Sequence, residues 1–333
     1  MSSDDDDLAA RIAATASGAY DVAPDSELKL VNRSENTVFA LTDAATGEPL
    51  IMRVHRHGYH ERHQIESELD WLAAIRADGA VSVPQVRAAR DGTRVVTVDG
   101  VDDRPRQVVC FEQIPGVHPD ENLLTDNDFH HLGRITAALH DHARRWRRPP
   151  GFDRFAWDWE SCLGQRPRWG RWQDSVGVGP PQRRLLGRAQ DLLEQRLRAY
   201  GCGADRFGLM HADLRLANLL VHDGDITAID FDDCGFSWFF YDFGAAVSFI
   251  EDDPALPRWQ DAWLAGYRTA GTVSAADEEM LASFVMLRRL KLLAWMGTHD
   301  HALESRTKLA RYAEGSCELA ECYLTSGGRV VRW

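Results

Sequence analysis

The chain has 333 residues, 44% of them hydrophobic and 27% charged, a balance typical of a globular protein with one large core or two smaller ones. Its net charge of −13 argues against broad nucleic-acid binding, which requires a basic surface. The six cysteines are scattered and form no C-x-x-C pair, which argues against a zinc site and a disulfide framework. The start of the sequence is acidic, unlike a secretory signal, and no apolar run reaches the ~18 residues of a membrane span. We therefore expect a cytoplasmic protein.

The first part of the chain has the pattern of short strands and a single helix. Apolar and β-branched runs predict strands at residues 28–31, 37–42, 50–54, 94–98 and 107–112. The polar turn at 32–36 joins the first two strands into a hairpin. A helix over 60–76 is predicted by an apolar stripe at helical spacing, formed by Ile65, Leu69, Leu72 and Ile75.

Beyond this part, helical patterns dominate. Helices are predicted over 128–145, 181–200, 254–271 and 275–298. Only two short strand-like runs, 218–221 and 225–231, interrupt them. A β-rich part followed by a helical part predicts an α+β, bilobal fold with domains 1–114 and 115–333.

Polar residues with a defined spacing lie in the helical part. His211, Asp213 and Asn218 form an H-x-D-x-x-x-x-N pattern, and Asp230 follows after an apolar strand. Phosphoryl transfer from ATP needs a carboxylate that orients the attacking hydroxyl, together with a carboxylate and an amide that hold magnesium. A loop followed by a hairpin would bring these groups together. The alternative is a surface loop whose Asp and Asn cap a helix.

The segment LMHADLRLANLLVHDGDITAIDFDDCGFSWFFYDF resembles the signature of the aminoglycoside phosphotransferase and choline kinase-like family, although Ala212 replaces the usual glycine. The resemblance implies the two-lobed protein-kinase-like fold, with ATP and Mg²⁺ as cofactors. It also implies that Asp213 is the catalytic base and that Asn218 and Asp230 bind magnesium.

His211 of the motif and three further residues near it are candidates for supporting roles. By resemblance, His211 and Asp242 support the catalytic loop, and Asp242 is a buried carboxylate that braces it. A helix N-cap is the alternative for Asp242. Asp232 and Asp233 follow Asp230 closely. Each is either a second contact to the metal or to a cationic substrate, or a solvated turn residue.

The N-terminal part offers candidates for ATP contacts. Ser34 and Asn36 lie in the first hairpin, where the family's loop covers the phosphates; an ordinary turn is the alternative. The third strand carries Arg53 where kinases have a lysine, and none of the three lysines in the chain lies on that strand. A guanidinium can bind two phosphate oxygens, so Arg53 is predicted to replace the lysine. Its acidic partner is Glu68, with Glu66 as the alternative.

The run VCFEQIPG at 109–116 resembles the strand that leads into the interlobe hinge of kinases. Adenine would then bind the backbone of Glu112 and Ile114, with Phe111 as a wall of the pocket. This register is anchored by Pro115 and Gly116.

The stretch 144–184 contains ten arginines and five tryptophans and is the main clue to the acceptor. The aromatic residues could enclose a quaternary ammonium group, whereas the arginines would favour an acidic acceptor. In a third interpretation, the tryptophans anchor a long connection to the core.

The sequence therefore predicts an ATP- and Mg-dependent phosphotransferase that phosphorylates a hydroxyl of a small molecule, such as an antibiotic, an amino alcohol or a hydroxy amino acid. The alternatives are a serine/threonine protein kinase and a non-catalytic nucleotide-binding protein. No nucleic-acid or membrane partner is expected, and the sequence does not indicate an oligomeric state.

Overall fold

The computed structural model describes residues 2–101, 103–120, 123–298 and 303–329, without the side chains of 2–4 and 303–310. The chain forms two compact units. The first unit comprises the residues up to Gly116 together with Arg147–Arg154, and the second unit comprises Val117–Trp146 and the residues from Phe155 onward.

The first unit is built on an antiparallel sheet with the strand order β1-β2-β3-β6-β4, in which β5 also pairs with β6. Its strands are β1 (Leu28–Arg33), β2 (Thr37–Thr42), β3 (Pro49–Val54), β4 (Val86–Arg87), β5 (Val95–Val98) and β6 (Arg106–Glu112). The β1–β2 hairpin and the following strand are those that the sequence predicts.

Helices α1 (Ser2–Ser17) and α2 (Arg62–Ala77) also belong to this unit. The predicted apolar stripe of α2 is buried, and a capping box between Glu61 and Gln64 fixes the start of this helix. Helix α1 was not predicted. Its Ile12 and Ala13 are fully buried in the core beneath the sheet, and Asp6 forms an ion pair with Arg33 of β1 at 2.9 Å.

The second unit is mainly helical. Its helices are α3 (Asp126–Arg145), α4 (Trp159–Leu163), α5 (Pro180–Tyr200), α6 (Tyr241–Ala246), α7 (Leu256–Tyr267), α8 (Ala275–Thr298) and α9 (Leu303–Thr325). Helices α3 and α7 approach each other closely at Gly133 and Gly266. Only glycine fits at these two positions, because a Cβ atom at either one would overlap a backbone carbonyl of the other helix. Helix α8 has the predicted bounds, and α9 was not predicted.

Four short strands accompany these helices, where the sequence predicted two. β8 (Leu219–His222) and β9 (Asp225–Ala228) form the predicted hairpin. β7 (Phe207–Met210) pairs with β10 (Gly235–Trp238) just outside this hairpin. The two additional strands were not predicted: each is only four residues long and contains a glycine, Gly208 in β7 and Gly235 in β10, a residue that is depleted in strands.

The structure confirms the α+β class, with an antiparallel sheet first and a mostly helical region after it. Among the described residues, no helix combines the length and the apolar character that crossing a membrane demands.

Candidate active site

The loop between β7 and β8 holds the central residues of the predicted catalytic motif. The side-chain amide nitrogen of Asn218 donates hydrogen bonds to the backbone carbonyl of Asp213 at 2.8 Å and to its Oδ2 at 2.9 Å. The backbone amide of Ile229 donates to the carbonyl of Asn218 at 2.9 Å. The β8–β9 hairpin therefore returns the chain to this loop immediately before Asp230.

Asn218 and Asp230 have the chemistry of a site for a hard divalent cation. The amide nitrogen of Asn218 is committed to Asp213, which leaves its amide oxygen as the atom that a cation would contact. Asp230 has an exposed side chain and a positive φ of 61°. Carboxylate and amide oxygens are ligands that Mg²⁺ accepts, so these residues fit the predicted metal.

Asp242 and His211 connect this loop to neighbouring segments by hydrogen bonds. Asp242 Oδ1 accepts a hydrogen bond from the backbone N–H of Ala212 at 2.9 Å. Ala212 has a left-handed φ of 66° at the position where the family has glycine. His211 Nε2 lies 3.0 Å from the carbonyl oxygen of Ile229, the residue between the end of β9 and Asp230.

The environment of Asp242 excludes the alternative role for this residue. Phe240 is the N-cap of α6, and Asp242 lies in the first turn of the helix, so the N-cap interpretation is wrong. Asp242 Oδ2 is 3.0 Å from Nε2 of the fully buried His140, whose Nδ1 lies 3.0 Å from the hydroxyl of Tyr267. Burial lowers the pKa of His140 although the Asp242 carboxylate acts in the opposite direction.

Arg288 of α8 binds the predicted catalytic base, a contact that the sequence analysis missed. Its Nη2 donates to Asp213 Oδ1, its Nε donates to Ser248 Oγ at 2.9 Å, and its Nη1 donates to the Tyr241 hydroxyl at 3.3 Å. The guanidinium is 3% exposed and the Asp213 side chain 17% exposed. Burial by itself would raise the pKa of Asp213, but the charges of Arg288 and Arg215 outweigh it and hold this pKa below its usual value.

Asp232 is a buried turn residue, whereas Asp233 in the same turn is partly solvated. Asp232 is 5% exposed and Asp233 is half-buried. The backbone carbonyl of Asp233 accepts a hydrogen bond from Trp157 Nε1 at 2.9 Å. A role for either carboxylate in binding metal or substrate stays a prediction.

In the first unit, Arg53 and Glu68 form the predicted pair. Arg53 Nη2 lies 2.8 Å from both carboxylate oxygens of Glu68, and both residues are buried. The alternative acid, Glu66, is half-buried and binds Arg62 Nε instead, at 2.9 Å. The guanidinium carbon of Arg53 also lies 5.2 Å from the ring centroid of Phe111.

The other residues predicted to contact ATP lie in the β1–β2 turn and at the end of β6. Asn36 Oδ1 accepts a hydrogen bond from the backbone N–H of Arg56 at 3.1 Å, and Ser34 N–H donates to the Asn36 carbonyl at 3.0 Å, which closes the hairpin turn. The N–H of Glu112 donates to the carbonyl of Gln85 at 3.0 Å, so adenine could use only the Glu112 carbonyl. Ile114 follows the end of β6 and is half-buried.

Comparison with known proteins agrees with this geometry. Residues 27–279 match the model of the phosphotransferase enzyme family (APH). This match covers more than half of the chain. The chain belongs to this phosphotransferase family.

Individual relatives extend the similarity. A solved structure described as the microcompartment-associated aminopropanol kinase is 59% identical, with a TM-score of 0.90, and the match covers 97% of this chain and 99% of that one. Amicoumacin kinase of Bacillus subtilis (strain 168) is 25% identical over 290 residues, 84% of this chain and 82% of that protein. The amicoumacin kinase hAmiN, solved with AMP-PNP and Ca²⁺, has a TM-score of 0.72 at 23% identity and covers 89% of each chain.

These findings confirm the predicted family, the bilobal protein-kinase-like fold and the activity. This phosphotransferase is an ATP-dependent kinase with a small-molecule acceptor.

The tryptophans of the phosphotransferase's 144–184 stretch belong mainly to the core of the second unit. Trp157, Trp169 and Trp172 are 1%, 5% and 2% exposed, in agreement with the third interpretation of this stretch. The backbone N–H of Trp157 donates a hydrogen bond to the carbonyl of Phe236 at 2.7 Å, which attaches this residue to β10.

A sequence signal for Arg288 was present in α8. The segment 284–296 is apolar except for Arg288, Arg289 and Lys291, and all three are buried. Charged residues are almost never fully buried unless they are paired. Three charged residues within an otherwise apolar helical segment therefore predict that each side chain is paired with a group from another part of the fold.

Proposed function

We propose that this phosphotransferase transfers the γ-phosphate of ATP to the hydroxyl group of a small amino alcohol. The observation that carries the proposal is the 59% identity, over 97% of the chain, to a protein described as an aminopropanol kinase. The antibiotic kinases among the relatives are far less similar, at 25% identity or below.

In the proposed reaction, Asp213 orients the acceptor hydroxyl. The hydroxyl oxygen forms a bond to the γ-phosphorus while the bond to the β,γ-bridging oxygen breaks, and ADP leaves. The lowered pKa of Asp213 keeps its carboxylate ionised but also makes it a weak base. We infer that Asp213 mainly aligns the hydroxyl and takes up its proton late, as suits a loose transition state.

Asn218 and Asp230 are the residues that we propose to hold Mg²⁺, which would neutralise charge on the phosphate oxygens when bound. In the first unit, we propose that Arg53 contacts the α- and β-phosphates while Glu68 fixes the direction of its guanidinium. The contact between these two side chains supports the assignment, because Nη2 of Arg53 binds both carboxylate oxygens of the buried Glu68 and so holds the guanidinium in one orientation.

A coupled assay of ADP release tests the proposal. Purified enzyme with Mg-ATP is offered 1-amino-2-propanol, ethanolamine, choline, homoserine and an aminoglycoside, and ³¹P NMR identifies the product. We expect the highest kcat/KM with a primary amino alcohol. Asp213→Asn should abolish turnover, whereas the matched variant Asp225→Asn, at an exposed acid of β9, should not.

Two outcomes would contradict the proposal. One is a clear preference for the antibiotic or the hydroxy amino acid over every amino alcohol. The other is full activity of Asp213→Asn. ATP turnover on protein serine residues would revive the protein-kinase alternative, which no feature of the described residues favours. We expect the reaction to take place in the cytoplasm.

A further inference from the structure

The ammonium group of Lys291 lies inside an aromatic cage. Its Nζ is 3.5 Å from a ring centroid of Trp157, 4.4 Å from one of Trp169 and 4.7 Å from the ring centroid of Tyr241. It also donates a hydrogen bond to the Tyr241 hydroxyl at 2.7 Å. All four residues are at most 5% exposed. We call the three rings the Trp157–Trp169–Tyr241 cage.

The cage has fixed walls. The Trp157 backbone is bonded to β10, and its indole N–H is bonded to the carbonyl of Asp233. The carbonyl of Trp169 accepts a hydrogen bond from the Thr298 hydroxyl at 3.0 Å. Walls held in this way would keep their positions if the lysine side chain were removed.

Aromatic faces surround the charge of Lys291, whereas the carboxylates of Asp233 and Asp213 act on it only from beyond ion-pair distance. Within the described part of the chain, no carboxylate oxygen lies within 4.0 Å of its Nζ. Burial lowers the pKa of Lys291 to about 8. The group is therefore still mostly cationic at neutral pH, and the aromatic faces attract it as they would attract an organic ammonium ion.

This cage is adjacent to the predicted catalytic base. Lys291 and Arg288 are three residues apart on α8, so they lie on the same face of the helix. Both donate hydrogen bonds to the Tyr241 hydroxyl, and Arg288 in turn binds Asp213. A single guanidinium therefore separates the cage from the carboxylate that would orient the acceptor hydroxyl.

We propose that Lys291 is a specificity-determining residue: its own ammonium group occupies the Trp157–Trp169–Tyr241 cage and so excludes acceptors with a quaternary ammonium group. The enzyme is thereby restricted to primary amino alcohols, whose amine must be bound outside the cage. The inference deepens the proposed function and rests on it for the identity of the acceptor.

The test uses variants of the full-length enzyme. Lys291→Ala empties the cage, whereas Lys291→Met removes the charge but keeps the cage filled with a side chain of similar length. Lys29→Ala, at an exposed lysine of β1, controls for the loss of a lysine elsewhere. Lys291→Ser, whose hydroxyl is polar like the lost ammonium, provides a second emptied cage if the alanine variant does not fold.

The first measurement is binding of tetramethylammonium, by calorimetry and by its effect on Tm. This ion cannot be phosphorylated, and it has about as many heavy atoms as the side chain that is removed. We expect Lys291→Ala to bind it about tenfold or more tightly than the wild type, as a desolvated cation–π contact allows. Lys291→Met and Lys29→Ala should bind it no better than the wild type.

The second measurement is the ratio of kcat/KM for choline to kcat/KM for 1-amino-2-propanol. It should rise by about tenfold or more in Lys291→Ala, for the same reason, and not in Lys291→Met. Equal gains in both variants, or no gain of tetramethylammonium binding in either emptied cage, would overturn the inference. Binding of tetramethylammonium without amino-alcohol turnover by any variant, the wild type included, would instead refute the proposed function while leaving the cage assignment intact.

Discussion

Replacement of Arg288 by methionine should show how the buried cation controls Asp213. Arg288 and Asp213 are in direct contact, and a pair of unit charges at about 4 Å interacts by about 4 kcal/mol at an effective dielectric constant of 20. Loss of one partner of a buried pair costs about 3–5 kcal/mol. We expect Arg288→Met to lower the free energy of unfolding by about 3 kcal/mol, the low end of this range. The loss is limited because Asn218 still donates to Asp213 and the Asp213 side chain is 17% exposed.

The same variant should change the pH dependence of catalysis. Without the guanidinium the pKa of Asp213 rises, so its carboxylate is protonated at a higher pH and the acid limb of kcat/KM moves to higher pH. A carboxylate whose pKa is lowered by folding stabilises the protein fully at a pH above its unfolded-state pKa. This stabilisation is lost as the pH falls through the folded-state pKa. The stability difference between wild type and variant should therefore shrink in acid.

Arg289→Met is the matched control. Arg289 is the next residue of α8 and is equally buried, but its Nη1 binds Glu251 at 2.7 Å, away from the catalytic loop. Urea unfolding should show a comparable loss of stability, by about 3 kcal/mol or more, without a shift of the acid limb. An unchanged acid limb in Arg288→Met, or an equal shift in both variants, would refute this account of Asp213.

Arg53→Ala should raise KM for ATP by about tenfold because a charge-assisted contact to phosphate is lost, and Arg53→Lys should lower KM part of the way back. An unchanged KM in Arg53→Ala would show that Arg53 does not contact the phosphates. Asp242→Ala should lower stability by about 1–3 kcal/mol, measured by urea unfolding, and should reduce kcat because the catalytic-loop amide loses its buried acceptor; unaltered kcat would exclude the bracing role. Gly244→Ala should cost about 1–3 kcal/mol, since its Cβ would lie 2.5 Å from a backbone carbonyl of α8, whereas Gly187→Ala in α5 meets no atom within 4 Å and should be neutral or stabilising.

Local patterns were sufficient for the elements that carry the catalytic motif. The H-x-D-x-x-x-x-N loop and its hairpin were predicted because their residues are close in sequence, and the β8–β9 register follows from a tight turn. The pairing of Arg53 with Glu68 was also predicted, because strand and helix succeed each other along the chain. Helix α1 was missed because its acidic first turn was interpreted only as charge, not as a favourable helix start.

The sequence by itself determined the family, the α+β class and the kinase chemistry, all of which depend on residues with short and characteristic spacings. Only the tertiary structure decided which partners the carboxylate of the predicted base, Asp213, has. Arg288 is 75 residues from Asp213 in the chain, and Lys291 enters a cage whose walls come from the 144–184 stretch and from α6. Periodicity reports which face of a helix is buried, but it does not report what that face meets, because the partner is chosen by packing between distant segments.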